Sequence, residues 1–533
     1  MEKPKKERPM TAKKKTIEIM DTTLRDGEQT RGVSLTGDEK LSIATLLLDA
    51  VRVDRIEVAS ARVSEGERKS VARITDWAKA HGKADRVECL GFTDHKASVD
   101  WLLSAGCTVM NLLTKGSLRH LEGQLRKTPE KHLADIEKTV EYAVSQGVTV
   151  NVYFEDWSNG VLTSPDYVDF LYRSCSQVPF TRIMLPDTLG VLNPAQVGAF
   201  IGDAVEKIPN LQIDFHGHND YGFATANALF AIDAGAKGLH CTLNGLGERA
   251  GNASLDEVAV AIEDHSDYRT HINLKRIKEV SKLLEVLSGL RISSNKPITG
   301  DNVFTQTAGI HADGDKKGNL YETRLHPKRF GRDREYALGK LSGRANIELN
   351  LKKLGIDLPE DLKKQLLEKV IELGDNKKVV TAADLPFLVS DLLETPEERT
   401  FEIVNCILVS SLDLAPTASI KIRYRGKEYE SEGRGNGGYD AFMNALRSLS
   451  KNFAFKIPAL ADYEVHIPPG GKSDALVETT VTWDNGLQTR GIDPDQIMAA
   501  IEATSHMMNI LERQTQTGKA AARAEKKRQD AKV

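Results

Sequence analysis

Apolar residues arrive in short, nearly continuous runs over the first half of the chain, at residues 17–24, 55–60, 86–92, 108–114, 149–156, 182–188, 212–219 and 238–248. Between the runs the apolar spacing changes to a helical period, as in residues 38–51 and 130–146. Runs without strict polar alternation belong to strands buried on both faces, covered by the helices that follow them. Eight such β–α units in about 250 residues predict a (β/α)8 TIM barrel, expected over residues 17–275. A doubly wound open sheet is the alternative, but no Gly-x-Gly-x-x-Gly follows the first run.

Beyond the barrel the pattern changes twice. Residues 276–396 read as helical linker subdomains, too irregular to bury a core of their own. Residues 400–511 are rich in strands, at 401–410, 418–425 and 428–433 before an amphipathic helix over 439–451. The order then repeats, with strands at 463–467, 476–483 and 487–491 and a helix over 494–511. Two strand–strand–strand–helix halves predict a duplicated α+β ligand-binding module, with a plain dimerisation domain as the bland alternative. Residues 1–16 are Lys-rich without an apolar core and read as a flexible arm; residues 512–533, rich in Lys, Arg and Ala, read as a flexible tail.

Composition narrows the class. Of 533 residues, 40% are hydrophobic and 28% charged, which suits a multidomain globular protein. The 76 acidic and 72 basic residues leave a net charge of -4, which argues against a dedicated nucleic-acid or membrane-surface binder. No apolar run is long enough to span a bilayer. The five cysteines (Cys89, Cys107, Cys175, Cys241, Cys406) are odd in number and form no Cys-x-x-Cys. Reduced thiols in a cytoplasmic protein are the natural reading.

In a barrel of this kind chemistry sits where the strands end. The seventh run ends in His216-Gly217-His218-Asn219-Asp220, and alternation puts His216 and His218 on one face. The first ends in Asp21-Thr22-Thr23-Leu24-Arg25-Asp26, the fifth in Tyr153-Phe154-Glu155-Asp156, the sixth in Asp187-Thr188. The eighth runs into Gly247-Glu248-Arg249-Ala250-Gly251-Asn252. Each end alone could be polar for solubility. Together, with Asp26 as an oxygen ligand beside two imidazoles, they predict a facial divalent-metal site with open positions.

Three of these stretches carry a family resemblance. Asp-Thr-Thr-Leu-Arg-Asp-Gly-Glu-Gln at 21–29, His-Gly-His-Asn-Asp at 216–220 and Asn-Gly-Leu-Gly-Glu-Arg-Ala-Gly-Asn at 244–252 resemble signatures of the α-isopropylmalate, homocitrate and citramalate synthases. The likeness continues through Thr307-Ala308-Gly309-Ile310-His311-Ala312-Asp313-Gly314 and into the C-terminal domain. It implies condensation of acetyl-CoA with a 2-keto acid on Mg²⁺, Mn²⁺ or Zn²⁺, in a homodimer whose linker covers a partner's active site. Arg25 is then placed for the developing oxyanion, Thr188 for the substrate carboxylate, and Asn252 as a further metal contact. Glu155, His311 and Tyr321 are the unranked candidates for proton transfer, with Asn319 beside them as a substrate contact.

The keto acid is read from alternate residues ending strands three, four and five. Leu90, Leu113 and Tyr153 share faces with Glu88, Asn111 and Glu155, and leave room for a methyl group and little more. No histidine stands in Val109-Met110-Asn111-Leu112-Leu113, where the isopropylmalate and homocitrate branches commonly carry one. The run from Asn111 to Ser117 and that from Tyr153 to Gly160 look most like the pyruvate-using branch; 2-ketoisovalerate is the runner-up. Two other classes stay open, an acyl-CoA lyase on the same barrel and a catalytically silent amino-acid sensor. Residues 400–511 resemble the family's regulatory domain, which implies isoleucine, or alternatively leucine, as effector. Tyr439, Leu460, Tyr463, Ile467 and Val477 supply apolar surface there. Pro494 and Gln496 open the last helix, whose N-terminal amides suit a ligand carboxylate.

Overall fold

The eight apolar runs become β1 (Glu18–Asp21), β2 (Arg55–Ser60), β3 (Val87–Phe92), β4 (Val109–Lys115), β5 (Thr149–Glu155), β6 (Arg182–Asp187), β7 (Gln212–Gly217) and β8 (Gly238–Cys241). Each pairs in parallel with the next, and β8 pairs with β1 to close the barrel. This computed structural model describes residues 14–375, 380, 385–392, 400–466 and 477–530. The strands are buried nearly throughout, as their unbroken apolar character requires. The surrounding helices start where their caps dictate. Thr36 and Glu39 form a capping box on Gly37–Thr45, Asn193 and Gln196 one on Pro194–Lys207, and Thr128 with Pro129 opens Pro129–Ser145.

The eighth strand is shorter than its apolar run. It stops at Cys241 because Asn244 (φ 59°) and Gly245 (φ 73°) take left-handed backbone and turn the chain through Leu243–Gly245. The expected barrel boundary at residue 275 also moves. Helix Leu274–Ser288 presents Ile277, Val280 and Leu284 on one stripe, and all three pack into the barrel's core with Ile298, Phe304 and Phe330. The barrel body accordingly runs to Thr305 and takes back Glu322–Glu335.

The second unit comprises Gln306–Tyr321 and Tyr336–Val533. Contrary to expectation, its first part has a core of its own. Helices Arg344–Leu354, Glu360–Asp375 and Leu385–Leu392 join Ile347, Leu351, Leu366, Val370 and Leu385 around Leu338.

The duplication read from the sequence is present. Antiparallel β9 (Phe401–Val409), β10 (Thr417–Tyr424) and β11 (Lys427–Arg434) precede helix Gly438–Ser448; β12 (Leu460–His466), β13 (Val477–Trp483) and β14 (Gln488–Asp493) precede helix Gln496–Asp530. Equivalent glycines let each helix lie on its sheet. A Cβ at Gly433 would collide with the backbone of Ala441, and one at Gly491 with that of Ala499. The two halves share one apolar core. The expected tail from residue 512 is not a tail at its start, because the last helix continues to Asp530. Glu512 is fully buried in it, accepting from Arg425 Nε at 2.9 Å and from the Tyr424 hydroxyl. Among the described residues no helix is long and apolar enough to cross a membrane.

Candidate active site and metal centre

The loop after β1 folds back on itself: the amides of Arg25, Asp26 and Gly27 all donate to the Thr22 carbonyl, at 3.1, 2.8 and 3.1 Å. Thr30 then ties it to the loop after β8, its hydroxyl accepting from Gly247 N at 2.8 Å. Asp26 is thereby buried opposite the end of β7. There His216 and His218, also buried, leave the strand on one face as their spacing requires. Their Nε2 atoms stand 3.2 Å apart. Asp26 Oδ2 lies 3.1 Å from the first and 3.7 Å from the second, and the three donor atoms fall within 4.8 Å of one another.

Asn252 completes the constellation from the β8 loop. Its amide donates to Leu246 O at 3.0 Å, leaving Oδ1 buried with no hydrogen-bond partner among the described residues. Gly247 (φ 155°) gives it room, since a Cβ there would collide with the amide. A carboxylate, two imidazoles and an orphaned amide oxygen suit a divalent cation of the Mg²⁺, Mn²⁺ or Zn²⁺ kind. Electrostatics agree. Burial alone would raise the Asp26 carboxyl, but Arg25 and the two histidines outweigh it and hold it well below the usual range. Burial, helped by His216, lowers His218 to about 4, so its ring is neutral, the form that can ligate a cation.

Arg25 lies over the mouth of the barrel, 5.8 Å above the Tyr153 ring. Its guanidinium is gripped by Glu57 from β2, whose other oxygen accepts from Asn111 Nδ2 at 2.7 Å. Below them Leu90 and Tyr153 form an apolar cluster inside the barrel with Met20 and Met184, and Leu113 packs against it. The Tyr153 ring stands edge-on to His216, with centroids 6.2 Å apart. Thr188 Oγ1 accepts from Asp156 N at 2.9 Å, which leaves the hydroxyl proton free to be given away. Glu155 is bonded to Lys115.

The structure thus brings together Arg25, Asp26, Leu90, Leu113, Tyr153, Glu155, Thr188, His216, His218 and Asn252 at one end of the barrel. His311, Asn319 and Tyr321 belong to the second unit. His311 lies against Tyr321 with ring centroids 4.3 Å apart, and its Nδ1 is 3.2 Å from Gln306 Oε1. Asn319 lies in the turn beyond helix Gly309–Lys316, past the C-cap Lys317, with φ 54°. Glu57, Lys115 and His240 were missed by sequence reasoning. Each is a polar residue in a largely apolar strand, Glu57 with Arg55 and Lys115 with Asn111 on the same parity, and that inward-facing parity was the available signal.

Of the effector set, Tyr439 and Tyr463 meet with ring centroids 5.4 Å apart. The Tyr439 hydroxyl is 2.8 Å from Thr504 Oγ1, and the Tyr463 hydroxyl donates to Gln496 O at 3.3 Å. Val477 is buried and Leu460 is exposed at the start of β12; Ile467 lies outside the described residues. The helix N-terminus expected to seat a carboxylate at Pro494 and Gln496 carries a side-chain cap. Asp495 Oδ1 already accepts from the amides of Ile497 and Met498 at 2.7 and 3.1 Å, so the helix is capped by its own chain.

Three known protein families span the same architecture. The family model described as HMGL-like matches residues 16–284, the one described as homocitrate synthase post-HMGL domain-like matches 298–378, and the one described as LeuA allosteric (dimerisation) domain matches 379–512. The "(R)-citramalate synthase CimA" of Methanocaldococcus jannaschii is 35% identical over 500 residues, covering 93% of this chain and 99% of that protein. The "Probable 2-isopropylmalate synthase" of Methanopyrus kandleri is 35% identical over 504 residues, covering 93% and 98%. The chain belongs to the HMGL-like enzymes, within the family of acyl-transferring citramalate and 2-isopropylmalate synthases.

Proposed function

We propose that this enzyme condenses acetyl-CoA and water with pyruvate to give (R)-citramalate, free CoA and a proton, in a biosynthetic route to isoleucine. The observation that carries the choice of pyruvate is the wall of Leu90, Leu113 and Tyr153 with Met20 and Met184, beside the histidine pair. It offers apolar contact, and the cations that flank it, Arg25 over the Tyr153 ring and Arg55 beside Met20, are already paired with Glu57 and with Glu88 and Asp214. Formation of 2-isopropylmalate from 2-ketoisovalerate is the second reading. It is favoured by a relative of that name whose identity to this chain equals that of the citramalate synthase, 35% in both cases.

A divalent cation held by Asp26, His216 and His218, with Asn252 as a further contact, would supply electrophilic activation of the keto group. As the acetyl carbon attacks, negative charge grows on the keto oxygen. Arg25, its orientation fixed by Glu57, is the cation that stabilises it. The Thr188 hydroxyl donates to the substrate carboxylate. Glu155 is one candidate to take the acetyl proton, and its ion pair with Lys115 has to loosen as it does so. His311 and Tyr321 are the others. Hydrolysis of the product thioester makes the reaction one-way.

The duplicated C-terminal domain is read as the regulatory module, binding isoleucine, or leucine under the second reading, in a homodimer. Its match to an allosteric (dimerisation) domain model supports this. Five free cysteines, four of them buried, support a reducing cytoplasmic setting. Thiol release from acetyl-CoA, assayed with a panel of 2-keto acids, tests the reading. Pyruvate-dependent release of CoA with citramalate as product supports it; release driven best by 2-ketoisovalerate replaces it with the second.

A further inference from the structure

His240 stands on β8 opposite both Met20 of β1 and His216 of β7 in the strand register, with its side chain fully buried. Its Nδ1 lies 2.9 Å from the hydroxyl of Tyr153, across the interior of the barrel. Its Nε2 lies 3.4 Å from Asp214 Oδ2. Asp214 is in turn anchored by Arg55 and by Arg182, whose Nη1 is 3.2 Å away. Beneath the substrate wall there is therefore a continuous buried chain, Tyr153–His240–Asp214–Arg55/Arg182.

We infer that His240 is a specificity-determining positioning residue: by accepting the Tyr153 hydroxyl it fixes the aromatic wall of the keto-acid pocket and so sets the largest side chain the pocket admits. The inference rests on the reading of Tyr153 as that wall. A phenol hydroxyl buried in the barrel needs a partner, and leaving it without one costs more than the bond gains in water. His240 is the partner the structure gives it. The directions are consistent. Burial raises the Tyr153 phenol well above its ordinary value, so it remains a donor. Burial keeps the His240 ring neutral, with one nitrogen accepting from Tyr153 and the other donating to Asp214. The ring crosses Tyr153 at 79° with centroids 5.5 Å apart, so the bond fixes the plane of the phenol as well as its position. His240 acts through Tyr153, and the bond leaves that ring's apolar face for the substrate.

The test is the ratio of kcat/KM for pyruvate, 2-ketobutyrate and 2-ketoisovalerate in His240→Leu, Tyr153→Phe, the double variant and His240→Asn, with metal content and the KM for acetyl-CoA measured alongside. Each single change is expected to erode the wild-type size discrimination about tenfold, acting on KM more than on kcat, with metal content unchanged. The double variant is expected to add nothing further, because both changes break the same bond. His240→Asn keeps an acceptor near Nδ1 and is expected to restore most of the ratio. An unchanged ratio in Tyr153→Phe, or additive effects in the double variant, overturns the inference. If His240→Leu does not fold, Tyr153→Phe and His240→Asn decide the matter between them. A wild-type preference for 2-ketoisovalerate overturns the pyruvate reading instead, and the coupling between the two residues is judged on that substrate.

Discussion

Glu57 grips Arg25 from the neighbouring strand: the Arg25 Nε donates to one carboxylate oxygen while Asn111 donates to the other at 2.7 Å. An arginine anchored in this way is pre-organised, so it stabilises developing charge without reorganising during the reaction. Glu57→Gln keeps the shape and one acceptor but loses the ionic grip. It is expected to lower kcat about 10- to 100-fold with the KM for keto acid nearly unchanged, as misorientation of a charged group does. Steady-state kinetics with bound metal quantified check this; a fall in metal content would assign Glu57 to the metal site instead.

Chelation is expected to abolish CoA release, and a divalent cation to restore it. Asp26→Asn removes the charge opposite the two imidazoles, and His216→Ala removes one donor of the converging set. Both are expected to abolish turnover while circular dichroism remains that of the wild type. Full metal content and activity in His216→Ala would remove the site assignment.

What the sequence disclosed and what it hid follow one rule. Seven of the eight strands fall within a few residues of their apolar runs, since a buried parallel strand has no other way to be written; the eighth stops early at its turn. The histidine pair was legible because its two members are neighbours on one strand. Glu57 and His240 were not. Their partners lie far off in the chain, 54 residues away for Asn111 and 87 for Tyr153, and only closure of the barrel joins them. Asp495 was overlooked for a different reason: a helix N-terminus reads as an open anion seat until its own cap is considered.

Leu113 packs against the Leu90 and Tyr153 wall from β4. Leu113→Ala is expected to shift relative kcat/KM toward 2-ketobutyrate and 2-ketoisovalerate by about 1–3 kcal/mol, the scale at which an apolar pocket discriminates by size. Equal losses for all three acids would mean that the leucine is barrel core and nothing more.

His132 is buried, with Nε2 accepting from Lys115 N at 3.2 Å. Burial, reinforced by Lys127, lowers it from 6.5 to about 4. Between those values the unfolded chain binds a proton that the folded chain refuses, so this contribution is fully present above about pH 6.5 and is lost as pH falls toward 4. Asp21, raised by burial to about 7, has the opposite sign: its contribution is present in acid and is lost as pH rises through 7. His132→Gln keeps an acceptor for the amide and does not titrate. Its urea stability is expected to fall less than that of the wild type between pH 6.5 and 5, by about 2 kcal/mol at 1.4 kcal/mol per pH unit. Parallel pH profiles would contradict this.

Tyr439 reaches from the first half of the duplicated domain to Tyr463 and Thr504 in the second. An effector bound there inhibits only through unequal affinity for two states of the enzyme. Tyr439→Ala and Val477→Trp are expected to raise the concentration of isoleucine needed for half-inhibition at least tenfold, with uninhibited turnover nearly intact. If neither isoleucine nor leucine binds the wild-type protein at millimolar concentration in calorimetry, the domain serves dimerisation alone.

The most direct measurement is kcat/KM for pyruvate against 2-ketoisovalerate, followed as CoA released from acetyl-CoA by metal-loaded protein. Pyruvate is expected to be preferred at least tenfold, with citramalate as the product. A higher value for 2-ketoisovalerate contradicts the pocket formed by Leu90, Leu113 and Tyr153.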